Sequence, residues 1–217
     1  MNNAFRKPSL MLLAMLGAAV SVAPLQAAGR KPNVIVILAD DLGYADVGCH
    51  GCKDVPTPNI DSLARGGVRF TSGYVSHPFC SPTRAGLLTG RYQQHFGHET
   101  NPKWEPDNDK VGLPLDQVTV ADVMKKAGYV TGAVGKWHLG AAPCFHPNRR
   151  GFVEYFGFLG GGHHYFTDRP AGVEFSIPLM RNQTNIEEKE YLTDAFSREA
   201  VAFVERHKDK PFFLYLA

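Results

Sequence analysis

Residues 33–39 form an almost unbroken apolar run, the pattern of a strand covered on both faces within a parallel sheet. Asp40 and Asp41 follow at once, where open α/β sheets gather ligands outside the carboxyl ends of their strands. Thr57 and Pro58 then supply a cap and a first-turn proline for a helix carrying Ile60, Leu63 and Ala64 as far as Gly66-Gly67. Residues 68–74 read as the next strand. Ser81-Pro82-Thr83-Arg84 repeats the helix-start chemistry ahead of Ala85-Gly86-Leu87-Leu88. Cys80 is thus expected at or just before a helix N-terminus, where backbone N–H groups and the helix dipole favour an oxyanion.

Residues 119–127 place Val120, Val123 and Met124 on one face of a helix ended by Gly128, and residues 129–134 read as the strand leading to Lys136 and His138. Three successive strand ends are therefore expected to deliver Asp40 and Asp41, Cys80, and Lys136 and His138 to one rim. Residues 141–185 are rich in Gly, Pro and His and predict an irregular, substrate-facing excursion. Residues 187–207 read as an amphipathic helix with Leu192, Phe196, Val201 and Val204 inward, and residues 211–217 as another buried strand. Strands alternating with helices in this way define an α/β class.

The bulk properties change this picture little. With 217 residues, 44% hydrophobic and 20% charged, the chain has the composition of a globular domain. A formal charge of +2 and the lack of any dense basic patch argue against a nucleic-acid partner. The N-terminus stands apart. Arg6 and Lys7 precede an uncharged stretch, residues 8–29, with an apolar centre and a closing Ala27-Ala28, which reads as a secretory signal peptide over residues 1–28. Leu25 and Gln26 stand where a small residue is expected before the cleavage site; an uncleaved anchor is the alternative, and Pro24 and Gln26 weaken it. No other segment has the length and apolarity to span a bilayer, so an exported, periplasmic or secreted protein is expected.

Several residues carry candidate chemistry. Asp40 and Asp41 are hard oxygen ligands suited to Ca²⁺ or Mg²⁺, or else a turn or helix cap. Cys49-His50-Gly51-Cys52 has C-x-x-C spacing, but there is no second such pair and no thioredoxin-like context, so loop cysteines or a local disulfide are expected, with Cys144 over. His163 and His164 follow three glycines, as a substrate-touching pair or as solvent-exposed histidines of a glycine loop. Asn182-Gln183-Thr184 is a glycosylation sequon by pattern.

One stretch outweighs these. Cys80-Ser81-Pro82-Thr83-Arg84, continued by Ala85-Gly86-Leu87-Leu88-Thr89-Gly90-Arg91, resembles the signature of the formylglycine-dependent sulfatases. Lys31 to Gly43 resembles the first strand and metal-binding turn of that family, Thr57-Pro58-Asn59-Ile60-Asp61 also fits, and Gly135-Lys136-Trp137-His138-Leu139-Gly140 resembles its Lys-x-His element, all in the family's order. The resemblance implies an alkaline-phosphatase-like α/β fold with a mixed, mostly parallel sheet flanked by helices. It also implies a sulfuric ester hydrolase acting on sulfated glycans or aryl sulfates. In that reading a maturation enzyme oxidises Cys80 to formylglycine, an aldehyde whose hydrate carries two hydroxyls. Asp40, Asp41 and the modified Cys80 would hold a divalent metal, Ca²⁺ first and Mg²⁺ second. Arg84 would hold the metal-bound diol, Lys136 would pair with the sulfate, and His138 would take the proton that lets the sulfated diol collapse. His163 is the substrate-contact candidate. The family supplies further metal ligands, another Lys and another His from beyond Ala217, so residues 29–217 are expected to be the N-terminal part of a catalytic domain, incomplete at its C-terminus and without useful turnover alone. A phosphoester or phosphonate hydrolase of the same superfamily and a non-catalytic, secreted pseudo-sulfatase are the alternatives.

Overall fold

The computed structural model describes residues 31–166 and 175–217; residues 1–28, expected to be a signal peptide, lie outside the described residues. The described strands form one sheet in the order β1-β6-β2-β3-β4-β5. β1 (Val34–Ile37), β6 (Phe212–Leu216), β2 (Val130–Lys136) and β3 (Glu154–Phe158) run parallel, and the hairpin β4 (Leu179–Arg181) and β5 (Thr184–Ile186) continues the sheet antiparallel. The last strand in sequence is inserted between the first two: Val34 pairs with Phe213 on one side of β6, and Gly132 with Leu214 on the other.

Alternation along the strands sorts their side chains onto two faces. Ala133, Tyr155, Phe213 and Tyr215 face one layer together with Ala85 and Leu88 of α2 (Cys80–Thr89) and Ala121 of α3 (Val120–Lys126). Val134, Phe156, Phe212 and Leu214 face the other, against Leu192, Ala195, Ala200 and Phe203 of α4 (Leu192–His207). The helix α1 (Pro58–Gly66) has no buried residue, and on β1 Ile35 and Ile37 stay exposed while Val34 and Val36 pack inward. Thr119 caps α3 through a reciprocal box with Asp122.

The structure corrects several expectations. Residues 68–74 are not a strand: they pair with no described strand, and Val68, Phe70 and Tyr74 are 79%, 77% and 90% exposed. Apolar alternation alone does not supply a ladder partner. Residues 141–185 are not wholly irregular, since they contain β3, β4 and the start of β5. The glycines that read as breakers serve close approach. A Cβ on Gly157 would lie 1.9 Å from the Gly135 carbonyl oxygen, so β3 meets β2 only with glycine there, and Gly135, at φ +107, gives the same close approach to the Ala217 carbonyl beyond β6.

The last helix starts at Leu192 rather than 187, and Val201 and Val123 lie on exposed faces. Ala200, Phe203 and Ala121 occupy the inward positions instead. Thr57 precedes α1 without capping it; its hydroxyl accepts from Gly48 N–H at 2.8 Å and donates to Asp61 at 3.1 Å, tying α1 to the turn before it.

Candidate active site

The edge strand β1, the inner strand β2 and one helix build the site. β1 ends at Ile37, and the backbone turns at Asp41 with φ 57, a left-handed conformation that Asp tolerates better than most residues. α2 begins at Cys80, preceded by extended Phe79, so Cys80 occupies the first helical position as expected. It arrives from an irregular segment, residues 68–79, not from a strand end. β2 ends at Lys136, and His138, also left-handed at φ 57, follows with its N–H bonded to the Leu159 carbonyl at 3.1 Å.

Ligand atoms of Asp40, Asp41 and Cys80 lie within 4.8 Å of one another. Lys136 Nζ donates to Asp40 Oδ2 at 2.7 Å, and Arg84 Nη2 stands 3.7 Å from the same oxygen. Arg84 is 1% exposed and is fixed from below, donating through Nη1 to the Lys136 carbonyl at 2.6 Å and to the Tyr215 hydroxyl at 3.3 Å. A buried guanidinium held this way keeps its charge aimed at the carboxylates. Burial would raise the pKa of Asp40, but the hydrogen bond and charge of Lys136, with the charge of Arg84, outweigh it and hold the carboxyl below its usual range. Burial also pushes the Tyr215 phenol up.

His138 is 6% exposed, and its Nδ1 is buried without a hydrogen-bond partner among the described residues. Burial, then the charges of Lys136 and Arg84, lower its pKa to about 4, against the pull of the Pro102 carbonyl and Asp40. The imidazole is therefore neutral at ordinary pH and able to accept a proton. Gly161 packs so closely on it that a Cβ there would lie 2.8 Å from Nε2.

A cavity of about 210 Å³ opens over this group, lined by Asp40, Asp41, Cys80, Arg84 and, from the preceding segment, His77 and Phe79. Two carboxylates suit a hard divalent cation, whereas a thiol is a soft donor that such a cation does not favour. An oxygen function on the β-carbon of residue 80 would complete an all-oxygen set, so the donor chemistry fits a hard metal once Cys80 is oxidised. With Arg84 and Lys136 balancing Asp40 and Asp41, a bound divalent ion would leave the site net positive and suited to an anion.

The expected residues Asp40, Asp41, Cys80, Arg84 and Lys136 come together here, with His138 beside them. His163 is placed differently: its ring lies 5.3 Å from that of Phe158, and its Nδ1 is 2.6 Å from the His164 carbonyl oxygen. Tyr215, His77 and the supports of Ser81 escaped the sequence reading. Tyr215 stood in the apolar run 212–216 as a core residue, and nothing in that run shows that its hydroxyl meets Arg84. Cys49, Cys52 and Cys144 are free thiols, so the C-x-x-C pair is a pair of loop cysteines rather than a local disulfide.

Comparison with known proteins accounts for this arrangement. The family model "Sulfatase" matches residues 32–217. Human arylsulfatase A is 39% identical over 97% of this chain and 44% of its own length, and dog N-acetylgalactosamine-6-sulfatase is 36% identical over 91% and 41%. The crystal structure of Ps i-CgsB superposes with a TM-score of 0.80 at 49% identity, covering 87% of this chain and 45% of that one. The chain thus spans a little under half the length of the curated relatives it matches. Its mostly parallel sheet with flanking helices is the alkaline-phosphatase-like fold of those structures. By sequence, fold and the order of its motifs, the chain belongs to the sulfatase family.

Proposed function

We propose that the protein carrying this chain is an exported sulfuric ester hydrolase that cleaves sulfate monoesters of sulfated glycans or aryl sulfates. The observation that carries the reading is the cavity lined by Asp40, Asp41, Cys80 and Arg84, with Lys136 bonded to Asp40 and a neutral His138 nearby whose Nδ1 has no partner among the described residues. A divalent cation, Ca²⁺ first and Mg²⁺ second, would supply positive charge at the ester oxygens, and a hydrated formylglycine at position 80 the oxygen nucleophile.

The chain's own residues do the rest. Asp40 and Asp41 hold the cation. Arg84, immobilised by the Lys136 carbonyl and Tyr215, keeps a fixed positive charge beside the group at position 80. Lys136, on its flexible stem, exchanges its contact with Asp40 for a sulfate oxygen when substrate enters. His138 accepts a proton at Nδ1, the ring atom without a partner. His163 stands two residues after Gly161, which packs on His138, and is the candidate for contact with the substrate.

The substrate class draws support from relatives. One solved structure, 48% identical, is titled Ps i-CgsB in complex with k-i-k-neocarrahexaose. Another, 29% identical, is titled as holding its substrate D-glucosamine-2-N,6-O-disulfate. No described helix is long and apolar enough to cross a membrane. Export rests on the leader reading of residues 1–28.

The test is to express the whole polypeptide with a formylglycine-generating enzyme. Peptide mass spectrometry then reads position 80, and hydrolysis of 4-nitrophenyl sulfate, 4-nitrophenyl phosphate and a sulfated galactan is measured with Ca²⁺ and after chelation. An aldehyde at residue 80 with metal-dependent release of sulfate is the expected result. A protein that bears the aldehyde and the metal yet cleaves only the phosphate ester refutes the sulfatase reading.

A further inference from the structure

Helix α2 starts without a capping side chain of its own: Phe79 stands at the N-cap, and the first N–H groups of the helix have no intrahelical acceptor. The Ser81 N–H finds one at a distance, in Asn101 Oδ1 at 2.9 Å. The Ser81 side chain, fully buried, is engaged as well, with Oγ 2.7 Å from His98 Nε2. His98 is buried too, and burial lowers its pKa against the pull of the Gly112 carbonyl, so the ring is neutral. With one ring nitrogen donating to that carbonyl, Nε2 is left to accept from the Ser81 hydroxyl. Two side chains from one short segment therefore grip the residue that directly follows Cys80.

The same segment reaches the base. Pro102, next to Asn101, directs its carbonyl at the His138 imidazole. Gly112, the partner of His98, forms an antiparallel bridge with Gly140, and the Leu113 N–H donates to the Leu139 carbonyl at 2.9 Å, immediately after His138. Two routes thus run from Ser81 to His138, one through Asn101 and Pro102 and the other through His98, Gly112 and the 139–140 backbone.

We propose that His98 and Asn101 are positioning residues that fix the first turn of α2, and with it the group at position 80, at a set distance from the His138 imidazole. The proposal rests on the roles given above to residue 80 and His138. Its physical basis is the steep dependence of rate on the geometry of nucleophile and base, for which a displacement of about 1 Å costs on the order of a hundredfold. Neither residue lines the cavity, so their effect would pass through Ser81 and the 138–140 backbone.

The test compares wild type with Asn101→Ala, Asn101→Asp and His98→Gln, the last two retaining an acceptor. Three quantities are read: aldehyde content at residue 80, hydrogen exchange of the Ser81 amide, and kcat and KM on 4-nitrophenyl sulfate per aldehyde-bearing molecule. In Asn101→Ala the Ser81 amide should exchange about tenfold faster, the equivalent of one lost hydrogen bond. Its kcat should fall about tenfold or more with KM little changed. Asn101→Asp and His98→Gln should restore most of both. If Asn101→Ala does not fold, Asn101→Leu, close in volume and without an acceptor, takes its place.

Unchanged Ser81 exchange overturns the proposal, as does unchanged kcat, or an equal kcat loss in the Ala and Asp variants. A wild type that carries the aldehyde but releases no sulfate sinks the enzymatic reading instead. Ser81 exchange then decides the clamp by itself, faster exchange in Asn101→Ala supporting it and unchanged exchange refuting it.

Discussion

Acidification should destabilise this protein through His138, and the size of the effect follows from its surroundings. Burial and the nearby Lys136 and Arg84 charges hold the folded pKa at about 4, whereas an unfolded histidine titrates near ~6.5. Between those values the unfolded chain binds a proton that the folded chain refuses, so stability falls as pH drops through ~6.5 and levels off below about 4. At pH 5 this one group costs about 2 kcal/mol relative to neutral pH. His98 and His146 are also buried with lowered pKa and add in the same direction. The lowered carboxyls, Asp40, Glu154 and Glu199, lose their contributions only as pH falls through and below the ordinary carboxylate range, largely outside the window from pH 7 to 5.

The perturbation that isolates the effect is His138→Asn. Position 138 is left-handed, and asparagine is among the few residues that accept that conformation, so the substitution removes the titration while keeping the backbone. Urea unfolding of the metal-free chain would be measured at pH 7 and pH 5 for both proteins. Wild type should lose about 2 kcal/mol more than the variant on acidification. Equal losses within about 0.5 kcal/mol, the ordinary scatter of such comparisons, would refute the burial argument.

Further outcomes follow from other contacts. Gly132→Ala should destabilise by about 1–3 kcal/mol in denaturant titrations, because its Cβ would meet the Phe203 ring at 2.5 Å where α4 crosses β2; a neutral result would mean that α4 lifts freely. Thr119→Ala should cost about 1 kcal/mol by removing the cap of α3, read as a lowered unfolding midpoint. Asp41→Asn should weaken Ca²⁺ binding in calorimetry while leaving the Lys136–Asp40 pair intact, and an unchanged affinity would remove Asp41 from the metal set.

The parts of the fold that the sequence made legible are those fixed by local pattern. β6 is a continuous apolar run because core layers cover both of its faces, whereas β1 carries the same run at the sheet edge with Ile35 and Ile37 exposed, and the start of α2 is written in Ser81-Pro82. β3 was hidden because Gly157 looks like a breaker until its partner carbonyl at Gly135 is known. Residues 68–74 carry strand-like residues but no partner, a fact that no local pattern records. In the site, Asp40, Asp41, Cys80, Arg84, Lys136 and His138 sit in recognisable motifs. His98 and Asn101 do not, since their contacts join residues 17 and 20 positions apart and depend on how a loop meets the first turn of α2.

The insertion of β6 between β1 and β2 sets an order of events during synthesis. Asp40 follows β1 and Lys136 ends β2, and the strand that stands between them comes after both in sequence. Until residues 212–216 have left the ribosome the two halves of the site cannot close over Cys80. At about 5–20 residues per second, the roughly 130 residues between Cys80 and β6 leave its thiol reachable for about 7 to 26 seconds. On the proposed function, a formylglycine-generating enzyme would meet an open chain, and ribosome-stalled chains ending before Phe212 should be modified at least as fast as the released, folded protein.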